Sequence, residues 1–185
     1  MKQILFATTN DRKLSEARAA CKDFGIEVVQ IELSIDEIQH HDPNAISIRK
    51  AADAFKLAEG PVVVTDTSWA IPALNGFPGG YMKEVAQWFT SDDFLKLMNG
   101  QENRQLTFTE SITYKDAHTS RTFSQQYAGQ FAESPRGKGN SIERIAEFDG
   151  YTIAERHDQG RNSHDPKDYI WYQFARWFSD YEPSK

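Results

Sequence analysis

The spacing of hydrophobic positions changes along the chain, and each change marks an element. Residues 2–8 carry the apolar run Ile4-Leu5-Phe6-Ala7 and predict a first strand. Leu14, Ala17, Cys21 and Phe24 then recur at spacings of three and four, one face of a helix that Asn10 or Asp11 can cap and Gly25 can stop. Residues 27–31 predict a second strand, so the order is that of a βαβ unit in a parallel sheet. Residues 32–43 are polar and acidic and read as a loop. A second helix over 44–58 is expected to bury Ile48, Ala51, Ala52 and Phe55, with Gly60-Pro61 closing it. Val62-Val63-Val64 is a β-branched run suited to a strand covered on both faces.

Two short helices are predicted over 81–89 and 91–99, the second capped by Ser91 with Asp92 and Asp93 in its first turn. The period then drops to two. Leu106, Phe108, Ile112 and Tyr114 alternate with Thr107, Thr109, Ser111 and Thr113, and a polar turn over 115–118 leads to a second alternating run through Phe123 and Tyr127. This hairpin, over about 104–131, is expected to form a second lobe of a single domain. Residues 140–160 are crowded with charge and predict only short strands. A last helix is expected to start with Asp165 as cap and Pro166 at its first position, placing Ile170, Phe174, Trp177 and Tyr181 on one face.

At 185 residues the chain fits one domain, or one domain with a lobe. Its net charge of −6, without a long block of one sign, argues against bulk attraction to nucleic acid or an anionic membrane. A small polyanionic ligand would therefore need a local basic cluster. The N-terminal apolar run is too short for a signal sequence or a membrane span, which makes the cytoplasm the expected compartment. Cys21, the single cysteine, cannot form an internal disulfide, and its helical spacing predicts a buried, inert thiol.

Candidate chemistry gathers at a few places. Asp66 is expected at the carboxyl end of the strand that begins at Val62, the edge where open α/β sheets bind ligands, as a metal ligand, a base or a simple cap. Thr8-Thr9-Asn10-Asp11-Arg12-Lys13 brings hydroxyls, an amide and an ammonium to a helix N-terminus, where free N–H groups favour an anion. The glycines of a P-loop are missing there. Lys50 lies off the predicted buried stripe and can turn to a ligand or to water. Ser134-Pro135-Arg136-Gly137-Lys138-Gly139 is a basic, glycine-rich loop. His40-His41-Asp42 could ligate a transition metal, although adjacent histidines rarely face one ion and a solvated loop is the simpler reading.

Taken together, Phe6-Ala7-Thr8-Thr9-Asn10-Asp11-Arg12-Lys13, Ile46-Ser47-Ile48-Arg49-Lys50, Thr65-Asp66-Thr67 and Ala73-Leu74-Asn75-Gly76-Phe77-Pro78-Gly79-Gly80-Tyr81 stand in the order and spacing of known motifs. The chain resembles the inosine triphosphate pyrophosphatase family, enzymes that hydrolyse non-standard purine nucleoside triphosphates. Weaker similarity continues through Pro135-Arg136-Gly137, Asp149-Gly150-Tyr151 and Ser163-His164. The resemblance implies an α/β fold, an elongated mixed β-sheet flanked by helices, with two lobes and a central cleft, usually as a homodimer. It implies Mg²⁺-dependent attack of water on the α-phosphate, giving a nucleoside monophosphate and pyrophosphate. Catalysis would fall to Asp66 and Lys13, and Mg²⁺ to Asp66 and Asp42. The substrate would be held by Thr8, Thr9, Asn10, Lys13, Lys50, Thr67, Ser68, Arg136, His164 and Asp165.

The departures from the family pattern bear on the same residues. Thr9 replaces a glycine, Thr65 stands where many members have a second acid, and Ala45 occupies the expected place of a metal-binding glutamate, for which Asp42 is the nearby substitute. Asp165 replaces an arginine that reads the base, and an ionised carboxylate accepts hydrogen bonds where arginine donates them, so the preferred base is expected to shift toward donors. A Maf-like or otherwise altered nucleotide phosphohydrolase, and a relative that binds a nucleotide without turnover, remain open alternatives.

Overall fold

The computed structural model describes residues 2–160 and 169–183. Among these residues the chain forms a mixed eight-stranded sheet flanked by helices, and divides into two compact units. The first unit holds the described residues of 1–66, 110–125 and 164–185, and the second holds those of 67–109 and 126–163. The elements are β1 (Lys2–Ala7), α1 (Asp11–Lys22), β2 (Ile26–Ile31), α2 (Pro43–Ala58) and β3 (Val62–Ile71), then β4 (Phe77–Gly79), α3 (Met82–Trp88) and α4 (Ser91–Leu97). They continue with β5 (Gln105–Lys115), β6 (Ser120–Phe131), β7 (Ala146–Phe148), β8 (Tyr151–Thr152), α5 (Ile153–Asp158) and α6 (Ile170–Asp180). Strand order is β2-β1-β3-β5-β6-β7-β8, with β4 beside β3.

In the first unit β1 pairs in parallel with both β2 and β3, as the βαβ reading requires. Alternate residues of the central strands face opposite layers. Ile4, Phe6 and Val63 pack with Leu14, Ala17 and Cys21 of α1 and Trp171, Phe174 and Phe178 of α6. Ala7, Val62 and Val64 pack with Ala51 and Ala54 of α2. The run Val62-Val63-Val64 is therefore buried on both faces. Desolvation pushes the Cys21 thiol up to about 12, which makes it inert. Lys2 ties the first strand to the end of the last helix, donating to the carbonyls of Ser179 and Tyr181, each at 2.7 Å.

The buried face of α2 differs from the expected stripe. Ile46, Ser47, Ala51 and Ala54 turn inward, whereas Ile48 is 48% exposed. Small alanines let the helix approach the valines of β3 closely. A polar anchor completes the choice of face: the Ser47 hydroxyl meets Thr113 Oγ1 at 2.6 Å, and Thr113 meets Thr122 Oγ1 at 2.9 Å. β3 also runs further than the valine run predicts, because its end pairs antiparallel with β4, Trp69 opposite Gly79. Asp66 thus lies within the strand rather than at its carboxyl end.

The hairpin of β5 and β6, expected as a second lobe, is divided between the units: residues 110–125 belong to the first and the rest of both strands to the second. Its turn is organised by Asp116, which is fully buried. Oδ1 accepts from the backbone N–H of His118 at 2.9 Å and of Thr119 at 2.7 Å. Oδ2 accepts from the hydroxyls of Tyr114 at 2.9 Å and Tyr181 at 2.8 Å. Burial, reinforced by the hydrogen bond to Asp116 and its charge, raises the Tyr114 phenol so that it stays protonated and donates. In α6, Ile170, Trp171, Phe174, Ala175 and Phe178 are buried, with Trp177 and Tyr181 packed at the margin. The helix begins after Tyr169; Asp165 and Pro166, expected at its start, lie outside the described residues.

The second unit packs Trp69, Ile71, Phe94, Leu106, Phe131 and Ile145 into its own core. Thr90, not Ser91, caps α4. Its hydroxyl and N–H form a capping box with Asp93, whose carboxyl they lower to about 2 with help from Lys96. Ser91 instead donates to the Ser141 carbonyl at 2.7 Å. The charged stretch 140–160 contains β7, β8 and the unpredicted α5, whose start is a second capping box between Thr152 and Glu155. Arg136 closes this region: it donates to Glu155 through Nε and to Glu147 Oε2 at 2.7 Å and the Gly150 carbonyl at 3.3 Å through Nη2. At Gly137, φ is +74° and a Cβ would lie 2.5 Å from the backbone nitrogen of Glu155, so the loop and α5 meet only through glycine. No helix among the described residues is long and apolar enough to cross a membrane.

Asp116→Ala should lower unfolding free energy by about 3 kcal/mol, because it leaves buried donors without an acceptor; urea denaturation would show a lower midpoint at similar slope. Arg136→Met removes a partly exposed bridge from two carboxylates. It should lower Tm by about 2–4 °C and change kcat/KM by less than about threefold, as expected for a loss near 1 kcal/mol in a domain of this size.

Candidate functional site

The turn between β1 and α1 is built before any ligand arrives. The Thr8 N–H donates to the Ile31 carbonyl at 3.2 Å, and the Thr8 carbonyl accepts from Gln30 Nε2 at 3.0 Å, pinning the turn to β2. The Asn10 N–H donates to Thr8 Oγ1 at 3.1 Å. Asn10 Oδ1 accepts from the N–H groups of Arg12 at 3.0 Å and Lys13 at 3.2 Å, so Asn10, rather than Asp11, is the cap of α1. Thr9 is exposed and is not among the positive-φ residues, which are Glu59, Asn75 and Asp149 besides glycines. Replacing a glycine at this position therefore brings no backbone strain.

The Lys13 side chain is half-buried. Its ammonium makes no direct hydrogen bond or ion pair with any described residue, yet it feels the charges of Lys50, Asp66, Glu110 and Arg12. Desolvation lowers its pKa first, the Lys50 ammonium lowers it further, and Asp66 and Glu110 act in the opposite sense. A half-buried ammonium in the field of a second one is an arrangement that suits an anion.

Lys50, whose side chain is 17% exposed, reaches across from α2. It meets Glu37 Oε1 at 2.6 Å and the Thr65 carbonyl at 3.3 Å, which brings the Glu37 carboxylate to β3 one residue before Asp66. Glu110, on β5, is raised by burial and by Glu16, while Lys13 and Arg12 hold it down. Arg12 in turn pairs with Glu16 at 3.7 Å. Three basic and four acidic side chains of the first unit are thus electrostatically linked.

The other expected site residues have these surroundings. Thr67 and Ser68 continue β3 but belong to the second unit, as does Arg136 with its two glutamate partners. Asp42 is the N-cap of α2, its Oδ1 accepting from the Asn44 N–H at 2.9 Å. The rings of His40 and His41 stack at 4.3 Å, and His40 Nδ1 accepts from the Asp42 N–H at 3.0 Å. Among the described residues no three His, Cys, Asp or Glu side chains are grouped to hold a metal ion. His164 and Asp165 lie outside the described residues.

Glu37 and Glu110 are not among the residues that sequence reasoning singles out, although both carry a signal. Ile31, Leu33 and Ile35 alternate inward against the α2 layer, and Glu37 continues their phase. Glu110 stands in the inward phase of Leu106, Phe108, Ile112 and Tyr114, where a carboxylate has no packing reason to be.

The Ham1 family model matches residues 4–167. A dITP/XTP pyrophosphatase of Methanopyrus kandleri is 33% identical over 184 residues, covering 96% of this chain and 97% of that protein. Inosine triphosphate pyrophosphatase 2 of Trypanosoma cruzi is 31% identical over 170 residues, covering 89% of this chain and 86% of that protein. Among solved structures, a HAM1 protein from Coxiella burnetii superposes with a TM-score of 0.81 at 22% identity, covering 98% of this chain and all of that one. The Staphylococcus aureus Ham1 protein does so with a TM-score of 0.75 at 21% identity, covering 96% and 98%. The two structures establish the likeness of fold. With the family match over nearly the whole chain and relatives above 30% identity at full length, the chain belongs to the Ham1 family.

Proposed function

We propose that the chain is a nucleoside triphosphate pyrophosphatase that converts a non-standard purine nucleoside triphosphate, of the dITP or XTP kind, to the monophosphate and pyrophosphate. The observation that carries this reading is the Lys13 ammonium: half-buried in the first turn of α1, in the field of Lys50, with no direct partner among the described residues. A polyphosphate supplies the missing partner. The activity named for the relatives from M. kandleri and T. cruzi supports the same substrate class.

Mg²⁺ fits the donor set, because it commonly takes one or two carboxylates and fills the rest of its octahedron with phosphate oxygens and water. Asp66 would hold it, together with Asp42 as expected or with Glu37, which Lys50 links to the Thr65 carbonyl. When bound, it would offset the acidic surplus of the site and polarise the phosphate. Lys13 and Lys50 would orient the triphosphate and stabilise charge on the departing pyrophosphate as a water oxygen bonds the α-phosphorus and the bond from that phosphorus to its bridging oxygen breaks. The resemblance to the family further supports action as a homodimer, which light scattering measures directly.

Pyrophosphate release over a panel of inosine, xanthosine, guanosine and adenosine triphosphates tests the reading. The inosine or xanthosine substrates should be preferred, and chelation of Mg²⁺ should abolish release. Preference for adenosine or guanosine triphosphate would instead favour the base shift expected from Asp165. Asp66→Asn should lower kcat by at least about a hundredfold with unchanged folding, whereas Lys13→Ala should mainly raise KM. Binding without pyrophosphate release from any substrate would leave only a nucleotide-binding protein.

The pH dependence follows from the depressed Lys13 pKa. The ammonium is fully charged at low pH and is lost, as pH rises, sooner than that of a solvated lysine. KM should therefore begin to rise below the titration range of an ordinary lysine. Lys13→Arg, whose guanidinium stays charged, should remove that alkaline rise.

A further inference from the structure

Two anchors hold the Lys50 ammonium. It donates to Glu37 Oε1 at 2.6 Å and to the Thr65 carbonyl at 3.3 Å, and only 17% of its side chain and 28% of that of Glu37 are exposed. The Thr65 anchor fixes where this happens. Phe6 stands opposite Val63 in the parallel ladder of β1 and β3, so two further residues bring Thr65 level with Thr8, the start of the turn into α1. Lys50 therefore presents its charge at the edge that carries the turn from Thr8 to Lys13, with a carboxylate of the same chain seated on it. The backbone on either side of Glu37 is secured: Leu33 and Ile35 pack against the layer of Ala51 and Ala54, and His40 Nδ1 accepts from the Asp42 N–H at 3.0 Å. Glu37 can thus leave Lys50 by a change of side-chain rotamer while its loop stays in place.

We infer that Glu37 is an exchangeable counter-ion, a positioning residue that holds the Lys50 ammonium against β3 until a polyphosphate takes its place. The inference rests on the reading of Lys13 and Lys50 as the phosphate receptor. The pair spares Lys50 the cost of standing uncompensated in a half-buried position. A phosphate oxygen that approaches the same ammonium meets the carboxylate with like sign, and in a partly desolvated place that repulsion is strong. The ligand brings more negative charge than Glu37 and displaces it. Part of the binding free energy goes into the displacement, so the affinity for pyrophosphate is lower than an unoccupied Lys50 would give. When the product leaves, Glu37 returns to Lys50 and takes up the donors that the phosphate releases.

Calorimetric titration of the full chain with pyrophosphate tests the idea on wild type, Glu37→Gln, Asp36→Asn and Lys13→Ala, with a chelator present so that no divalent cation intervenes. Glu37→Gln keeps the length of the side chain and removes its charge, and should bind pyrophosphate about fivefold tighter, the worth of one ion pair at this exposure. Asp36 is exposed and adjoins Glu37 in the same loop. Asp36→Asn removes an equal charge that solvent screens, and should bind within about twofold of wild type. A residue that merely shaped the loop would weaken binding when replaced. Equal or weaker pyrophosphate binding by Glu37→Gln therefore overturns the inference, since Glu37 would then stay on Lys50 and steady it while phosphate binds. Equal tightening by Asp36→Asn overturns it as well, by tracing the effect to the net charge of the loop. Should Glu37→Gln lose its thermal transition, Glu37→Ala takes its place in the same titration: tighter binding supports the inference, and equal or weaker binding overturns it. If Lys13→Ala binds pyrophosphate as wild type does, the phosphate reading itself fails, an outcome separate from any result at positions 36 and 37.

Discussion

The site depends on one constraint: β1 and β3 run side by side in parallel, Leu5 opposite Val62 and Phe6 opposite Val63. Parallel neighbours present their following residues at the same end of the sheet. The turn that leads into Lys13 and the carboxylate of Asp66 are therefore neighbours by register, although 53 positions separate them in the chain (66 minus 13). The register is in turn held by burial on both faces. A shift by one residue would exchange the valines facing α2 with the one facing α1 and α6, and neither layer could accommodate the change. Packing in the core and placement of charge at the edge are one decision.

Much of this is legible in the sequence because the signals are local and redundant. Helical spacing at Leu14, Ala17 and Cys21, the β-branched run from Val62, and the alternation through Leu106 and Tyr114 each specify an element. The differences have physical causes. Apolarity alone points to the wrong face of α2, because Ser47 is held inside by hydroxyls on β5 and β6, partners far away in sequence. Asp66 reads as a strand end because its strand's antiparallel partner, β4, comes from the glycine-rich loop itself. The ion pairs of Arg136 are not legible because nothing in the order of residues shows that Glu147 and Glu155 converge on it. Glu37 and Glu110 escape notice since acids in a loop and in a half-wet strand are ordinarily solvated; only the phase of their neighbours marks them as inward.

Electrostatic balance separates the two kinds of charge in this chain. Around Arg136 the acids and the base touch, both glutamate carboxyls are held low, and the arrangement is complete in itself. Glu155 is lowered first by the Thr152 N–H and then by Arg136, so fixed backbone as well as a cation serves it. Around Lys13 two pairs close, Lys50 with Glu37 and Arg12 with Glu16, but Lys13 forms no such pair with a described residue. That difference, between charges that have found their partners and charges held apart at a cost in solvation, distinguishes a structural network from a place where something binds.

The contact between Lys2 and the carbonyls at the end of α6 bears on how the chain is made. The first unit draws its core from both ends of the polypeptide, Ile4 and Phe6 from β1 and Trp171, Phe174 and Phe178 from α6. A nascent chain emerging from the ribosome can complete the second unit from residues 67–163 while the first still lacks its final helix. Until α6 arrives, Phe6 and Tyr114 lack their aromatic neighbours Trp171, Phe174 and Phe178, and the layer over β1 and β3 consists of α1 alone. A chain truncated before α6 would thus carry Lys13 and Asp66 without half of the layer that packs behind β1.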